Sequence, residues 1–262
     1  MNNRVSYFRR CLVLSVLSLI ALPLPLGADD APVSDLESWV RKIESRGNAW
    51  TAYRAKIALE FANAKNEGGT CRGDLTYDRL NEKMLLRCSD DRNQLLFVFK
   101  TADTRFELYL AGAQTVYRGD MFQAEDTDTV ESQLEPLALY RSLKLMAIPE
   151  DKAEITSEGN DGTVLSLWTR KDNVLYVSRM ITATPDGDVI AEGYYDSKKI
   201  ARATIHRSDF RAIEDEAKLL PGPVYFPYHI RLITRDRTGE NEKTTRMVFE
   251  DISLLPSVEK SA

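Results

Sequence analysis

Cys71-Arg-Gly-Asp-Leu-Thr-Tyr-Asp-Arg-Leu-Asn-Glu-Lys-Met-Leu-Leu-Arg-Cys88 consists of two alternating runs about a turn-like centre. Leu75 and Tyr77 alternate with Asp74 and Thr76, and Met84 and Leu86 alternate with Lys83 and Leu85. Asp78-Arg-Leu-Asn81 supplies turn residues between them, so a period of two on each side predicts a β-hairpin. Strands that meet across residues 79 and 80 place Leu75 opposite Met84. The same register places Cys71 opposite Cys88 on that apolar face, at a separation a disulfide spans. A two-residue loop leaves the cysteines at a non-hydrogen-bonded site, whereas a four-residue loop does not. Closing a loop of this length stabilises a fold by about 3 kcal/mol when the geometry is relaxed. The alternative is a pair of buried free thiols.

Upstream, Arg4, Arg9 and Arg10 precede an apolar run from Cys11 to Leu22, and Pro23 and Pro25 then break it. The run is short for a bilayer span, and Leu26-Gly-Ala28 before two aspartates reads as a signal-peptidase site. Asp29 stands where a lipoprotein would need cysteine. The expectation is a signal peptide over 1–28, cleaved near Ala28, and an exported, periplasmic protein without a lipid anchor. Anchoring by an uncleaved segment 11–26 is the alternative. Without that segment 32 Lys and Arg face 40 Asp and Glu, a net charge of −8, and two cysteines remain. An even cysteine count in an exported chain favours a disulfide, and the acidic balance argues against a nucleic-acid partner.

No repeat or Pro/Gly/Ser-rich linker divides residues 29–256, which are expected to form one domain ahead of a flexible tail at 257–262. Ser34-Asp-Leu-Glu37 is a capping box, and Leu36, Val40 and Ile43 follow at helical spacing, so a short helix ends near Gly47. From Trp50 to Phe61 the period becomes two, with Tyr53, Ala55, Ile57, Leu59 and Phe61 on one face. Further strands are predicted at 94–99, 105–110 and 114–117, a meander with no crossover helix. Residues 127–148 carry Val130, Leu134, Leu137, Leu139, Leu143, Leu145 and Met146 and predict an apolar helix, with Asp128-Thr-Val-Glu131 as cap and Pro136 at a break. Such a helix needs a cover, and a concave sheet is the simplest one. Strands resume at 164–169, 175–182, 189–195, 200–207, 228–235 and 244–251. Thr184-Pro-Asp-Gly187 and Asp196-Ser-Lys-Lys199 form tight turns, residues 236–242 a looser one, and Pro221, Pro223 and Pro227 a rigid extended stretch. The fold class is mainly β (α+β).

The chemistry of catalysis is sparse. His206 and His229 sit in strand patterns without metal-site spacing. His206-Arg-Ser208-Asp209 holds triad residue types in one segment, with no Gly-x-Ser-x-Gly to present the serine. Glu214, Asp215 and Glu216 read as a solvated acidic run. Neither a phosphate loop nor a Cys-x-x-Cys pair occurs, so the expectation is binding rather than enzymatic activity, with no cofactor and no metal.

The order of elements, together with Gly73-Asp-Leu-Thr-Tyr-Asp-Arg79-Leu-Asn81, Pro227-Tyr-His-Ile-Arg231 and Met247-Val-Phe-Glu-Asp-Ile252, resembles the LolA/LolB lipoprotein-carrier superfamily. The resemblance implies an incomplete antiparallel β-barrel with an N-terminal helix and a helical lid over its concave face. By the same resemblance Arg79 latches the lid, and lipid or lipoprotein acyl chains are the ligands. An inner-membrane releasing complex and an outer-membrane acceptor would be partners, and delivery would run towards the outer membrane. Leu80 replaces the family's proline after that arginine, and the Cys71/Cys88 pair is outside the carrier pattern. Ile57, Leu59, Leu75, Met84, Leu86, Leu134, Leu137 and Leu143 are the expected lipid and lid contacts; the other reading of the three lid leucines is ordinary core, and that of Arg79 a solvated turn residue. An RseB-like regulatory sensor, which shares the half-barrel, is the alternative function.

Overall fold

Alternation of period two dominates the chain, and the backbone follows it. The computed structural model describes residues 36–65, 67–120, 136–145, 147–213, 223–236 and 238–255, all within the unit Ser34–Ala262. The expected signal peptide, Ser34 and Asp35 of the first capping motif, all of the second, residues 214–216 and the tail lie outside these residues. Helix α1 (Leu36–Gly47) leads into strands β1 (Ala52–Asn63), β2 (Gly68–Asp78), β3 (Lys83–Ser89), β4 (Leu95–Ala102), β5 (Arg105–Leu110) and β6 (Thr115–Asp120). Helix α2 (Pro136–Leu143) and a 3-10 turn at Glu150–Lys152 follow. Then come β7 (Ala153–Gly159), β8 (Gly162–Lys171), β9 (Val174–Ala183), β10 (Val189–Tyr195), β11 (Ala201–Ile213), β12 (Val224–Arg235) and β13 (Glu242–Leu254).

The thirteen strands form one antiparallel sheet in the order β6-β5-β4-β3-β2-β1-β13-β12-β11-β10-β9-β8-β7. First and last strands meet at its centre, while β6 and β7 form its two edges, so the sheet is not closed into a barrel. The chain leaves one edge at Asp120 and rejoins the sheet at the other at Ala153, and the described part of that connection covers the apolar face.

Two clusters fill that face. The larger joins β1–β5 and β10–β13 to Ala138, Leu139, Tyr140 and Leu143 of α2. The smaller joins Leu165, Leu167, Ile181, Ala183 and Val189 to Trp39, Val40 and Ile43 of α1 and to Leu145 and Ile148. Each fully buried Leu or Ile contributes roughly 1.5–3 kcal/mol relative to an exposed one.

The hairpin that decided the fold forms with a different register. Asp78 pairs with Lys83, Tyr77 with Met84, Leu75 with Leu86 and Gly73 with Cys88. The loop is therefore Arg79–Glu82, closed by hydrogen bonds from Asn81 N and Nδ2 to the Asp78 carboxylate at 3.1 and 2.7 Å, with Glu82 at a left-handed φ of 51°. These local bonds favour a longer turn than alternation alone implied. A shift of two residues preserves the face, so Leu75, Tyr77, Met84 and Leu86 still point inward. Cys71 and Cys88 are not directly opposite, but a disulfide joins them diagonally with their Cα atoms 5.8 Å apart.

Other differences have physical causes. Helix α2 stops at Leu143 rather than near Ile148, because Leu145 and Ile148 leave its face to pack under α1. Leu145 approaches α1 so closely that a Cβ at Gly47 would collide with it. Strand β7 carries few apolar residues because it is an edge, with Ala153 and Ile155 only partly buried, and its sequence gives little strand signal. Pro227 lies inside β12 opposite Phe210, next to the break in β11 where Asp209 has a φ of 57°.

Candidate functional site

The apolar wall is built from the inward residues of adjacent strands. Ile57 and Leu59 on β1, Leu75 on β2, and Met84 and Leu86 on β3 are all buried, together with Phe97, Phe99 and Leu108. Leu139 and Leu143 of α2 are buried in the same cluster. Leu137 also belongs to α2, whereas Leu134 lies outside the described residues. Across this wall Gly73 faces Ile57, Leu59 and Leu86, where an added Cβ would have no room.

The other wall carries buried charge. Glu192 on β10 is 1% exposed and holds two arginines. Arg179 on β9 donates from Nε and Nη2 to Glu192 Oε2 at 3.0 and 2.7 Å, and Arg207 Nη1 on β11 lies 2.7 Å from Oε1. The Tyr194 hydroxyl donates to Oε2 at 2.9 Å, and its ring lies under the Arg141 guanidinium, 4.5 Å from the centroid. Burial opposes ionisation of Glu192, but Arg207 and Arg179 outweigh it and hold its pKa below the ordinary carboxylate value.

The two arginines of this cluster grip backbone carbonyls. Arg207 Nη2 donates to the carbonyls of Arg141 and Ser142 at 3.4 and 3.3 Å, and Arg179 Nη1 to that of Ala147 at 3.1 Å. The last carbonyls of a helix have no partner within it and carry the negative end of its dipole, so a buried cation at the end of α2 satisfies both. Two further contacts complete the attachment. Glu44 of α1 accepts the Ile148 N–H at 3.0 Å, and Lys144 Nζ reaches Glu82 Oε1, in the β2–β3 loop, at 3.1 Å and the Tyr140 hydroxyl at 2.9 Å.

Arg79 is half-buried in the β2–β3 loop. Its Nη1 donates to the Asn48 carbonyl at 3.5 Å, and its backbone N–H to the Thr51 carbonyl at 2.7 Å, which ties the loop to the α1–β1 connection. The carbonyls at the end of α2 are met by Arg207 instead. His206 and His229 are exposed, the latter 3.8 Å from Asp209.

Arg179, Glu192 and Arg207 are the residues that sequence reasoning overlooked. Their signal was phase: Arg179 lies in phase with Ile181 and Ala183, Glu192 with Tyr194, and Arg207 with Ala203 and Ile205. A charged residue on the apolar phase of a strand must be paired once buried, and three of them on consecutive strands can pair with one another.

No protein-family model matches the sequence, and no curated protein matches it. Solved structures do match the fold. A LolA superfamily protein from Nitrosomonas europaea is 12% identical, with 87% of this chain and 96% of that one covered and a TM-score of 0.56. A domain from Vibrio parahaemolyticus named for outer-membrane lipoprotein sorting is 13% identical, with 86% and 96% covered and a TM-score of 0.58. A DUF1329 family protein from Desulfovibrio piger is 12% identical, with 86% and 95% covered and a TM-score of 0.57. The chain shares the fold of these structures, as the order of its elements and the motifs that resemble the LolA/LolB superfamily implied.

Proposed function

We propose that this protein is a soluble carrier of the periplasm that binds lipid or lipoprotein acyl chains on the apolar face and delivers them towards the outer membrane. The observation that carries the reading is the cover itself. An eight-residue helix, α2, lies over a wall of aliphatic and aromatic side chains, and polar contacts at Arg207, Arg179 and Lys144 tie its end. Such a cover can leave without breaking a strand pair. An acyl chain that takes its place gains roughly 0.8 kcal/mol per buried CH2, so a chain of ordinary lipid length can offset the lost helix contacts. The lipoprotein-sorting name of one fold neighbour supports the same direction, as do the apolar run and cleavage pattern at the N-terminus. Binding, not catalysis, is the activity in this reading.

Organic extraction of the purified protein followed by lipid mass spectrometry tests it. Acyl lipid at near one equivalent is expected after expression in a bacterial envelope. A protein that is empty and takes up no added amphiphile would overturn the carrier reading.

A further inference from the structure

The two walls under α2 differ in what they require of whatever covers them. Arg207 is buried; its ion pair with Glu192 lies within the sheet, whereas its Nη2 donates to carbonyls of α2, at Arg141 and Ser142. When α2 leaves, Nη2 loses both acceptors, and the guanidinium must turn to water or to acceptors on whatever replaces the helix. On the facing wall the Tyr53 and Tyr77 hydroxyls are buried without a hydrogen-bond partner, and their rings are 5.3 Å apart. Burial, then neighbouring Tyr77, push the Tyr53 hydroxyl well above its ordinary pKa, with Arg207 near enough to act against them. A cavity of about 30 Å3 that Arg207 lines together with Trp50, Leu145, Phe210 and the Arg46–Asp188 ion pair opens on its α1 side.

The register sets the direction of an apolar tail. Arg207 is paired with Ile230, Ile230 with Met247, Met247 with Leu59, and Leu59 with Cys71. All five face inward, so one row crosses the sheet from a cation to an uncharged floor. From β11 to β1 that row spans about 14 Å at ordinary strand spacing.

Resting on the carrier reading, we infer that the site selects amphiphiles with an anionic, oxygen-bearing head group. A carboxylate or phosphate oxygen replaces the Arg141 and Ser142 carbonyls at Arg207, and the chain runs over Ile230, Met247 and Leu59. Arg179 and Arg207 share the single Glu192 carboxylate, so the pair keeps a net positive charge where the departing helix uncovers Arg207. A charged hydrogen bond in a buried site discriminates strongly against a head group that cannot accept it.

Dodecanoate, dodecyl phosphate, dodecyl maltoside and dodecyltrimethylammonium, each below its micelle concentration, test this by titration calorimetry on the wild-type protein. At least tenfold tighter binding of one or both anionic amphiphiles than of the maltoside is expected, and the tighter of the two anions identifies the head group as carboxylate or phosphate. The cationic amphiphile should bind most weakly. Arg207→Gln should reduce the ratio of anionic to neutral affinity to near one while the maltoside still binds. Equal wild-type affinity for the anionic and neutral amphiphiles would overturn the inference and leave the carrier reading standing. Absence of binding by all four would overturn both. Because the wild-type ratio decides the matter alone, a poorly folding Arg207→Gln leaves the test intact.

Discussion

The wall formed by β1–β5 and the wall formed by β9–β11 face the same helix and hold it differently. On the first, Ile57, Leu59, Leu75, Met84 and Leu86 offer area without direction, and a disulfide stiffens the strands that carry them. On the second, Arg179 and Arg207 aim donors at particular carbonyl oxygens, while Glu192 accepts from Arg179 and Tyr194 and holds the cluster in place. Apolar area accepts any cover of about the right shape, whereas buried donors accept only one that brings acceptors. A single helix meets both demands by packing side chains on one wall and ending its backbone on the other.

The strongest way to break this contrast is to remove the carboxylate. Glu192→Gln leaves Arg179 and Arg207 buried without their counter-charge and should lower stability by roughly 3–5 kcal/mol, read from urea unfolding at pH 7. The difference from wild type should be pH-dependent. The folded pKa of Glu192 lies below its ordinary value of 4.5, so its ionisation favours the folded state above that pH. That contribution is lost as pH falls through the lower folded value, and the gap between the two proteins should narrow below pH 4.5. A gap unchanged down to pH 3 would mean that Glu192 is not the charge holding the two arginines.

On the apolar wall the corresponding change is to cut the cross-link. Replacing both Cys71 and Cys88 by serine should cost about 3 kcal/mol in the same unfolding experiment. The oxidised wild type should show no titratable thiol at these positions, and two reactive thiols in the unreduced protein would contradict the bond. Unlike Glu192→Gln, this variant should leave discrimination between anionic and neutral amphiphiles intact.

Smaller effects separate the two ties near the β2–β3 loop. Lys144 is mostly covered and Glu82 half exposed, so Lys144→Met should cost about 1 kcal/mol or less and loosen the end of α2. Arg79→Leu removes one long hydrogen bond to Asn48, outside the helix, and should cost less than about 1 kcal/mol. If Arg79→Leu raised amphiphile binding more than Lys144→Met did, Arg79 would be the stronger restraint on the helix.

What the sequence revealed follows the same division. Alternation alone placed Leu75, Tyr77, Met84 and Leu86 on the inner face, and it did so despite a register wrong by two, because faces repeat every second residue. Register itself depended on how Asp78 and Asn81 bond in the loop, which periodicity does not encode. Within the apolar stretch that ends at Ile148, the described Leu139, Leu143, Leu145 and Ile148 are buried, but burial does not distinguish the helical Leu143 from Leu145 and Ile148 beyond the helix. The charged wall was hidden for another reason. Arg179, Glu192 and Arg207 are 28 residues apart along the chain at their extremes, and only the pairing of β9, β10 and β11 brings them together. Their position on the apolar phase was visible, and their partnership was not.

Displacement of α2 is the central claim, and amide hydrogen exchange with and without saturating dodecanoate tests it most directly. Amides of α2 and the Lys144 N–H, which bonds to the Tyr140 carbonyl at 3.1 Å, should lose protection when the amphiphile binds, while β2 and β3 keep theirs. Stoichiometric binding with the protection of α2 unchanged would contradict it.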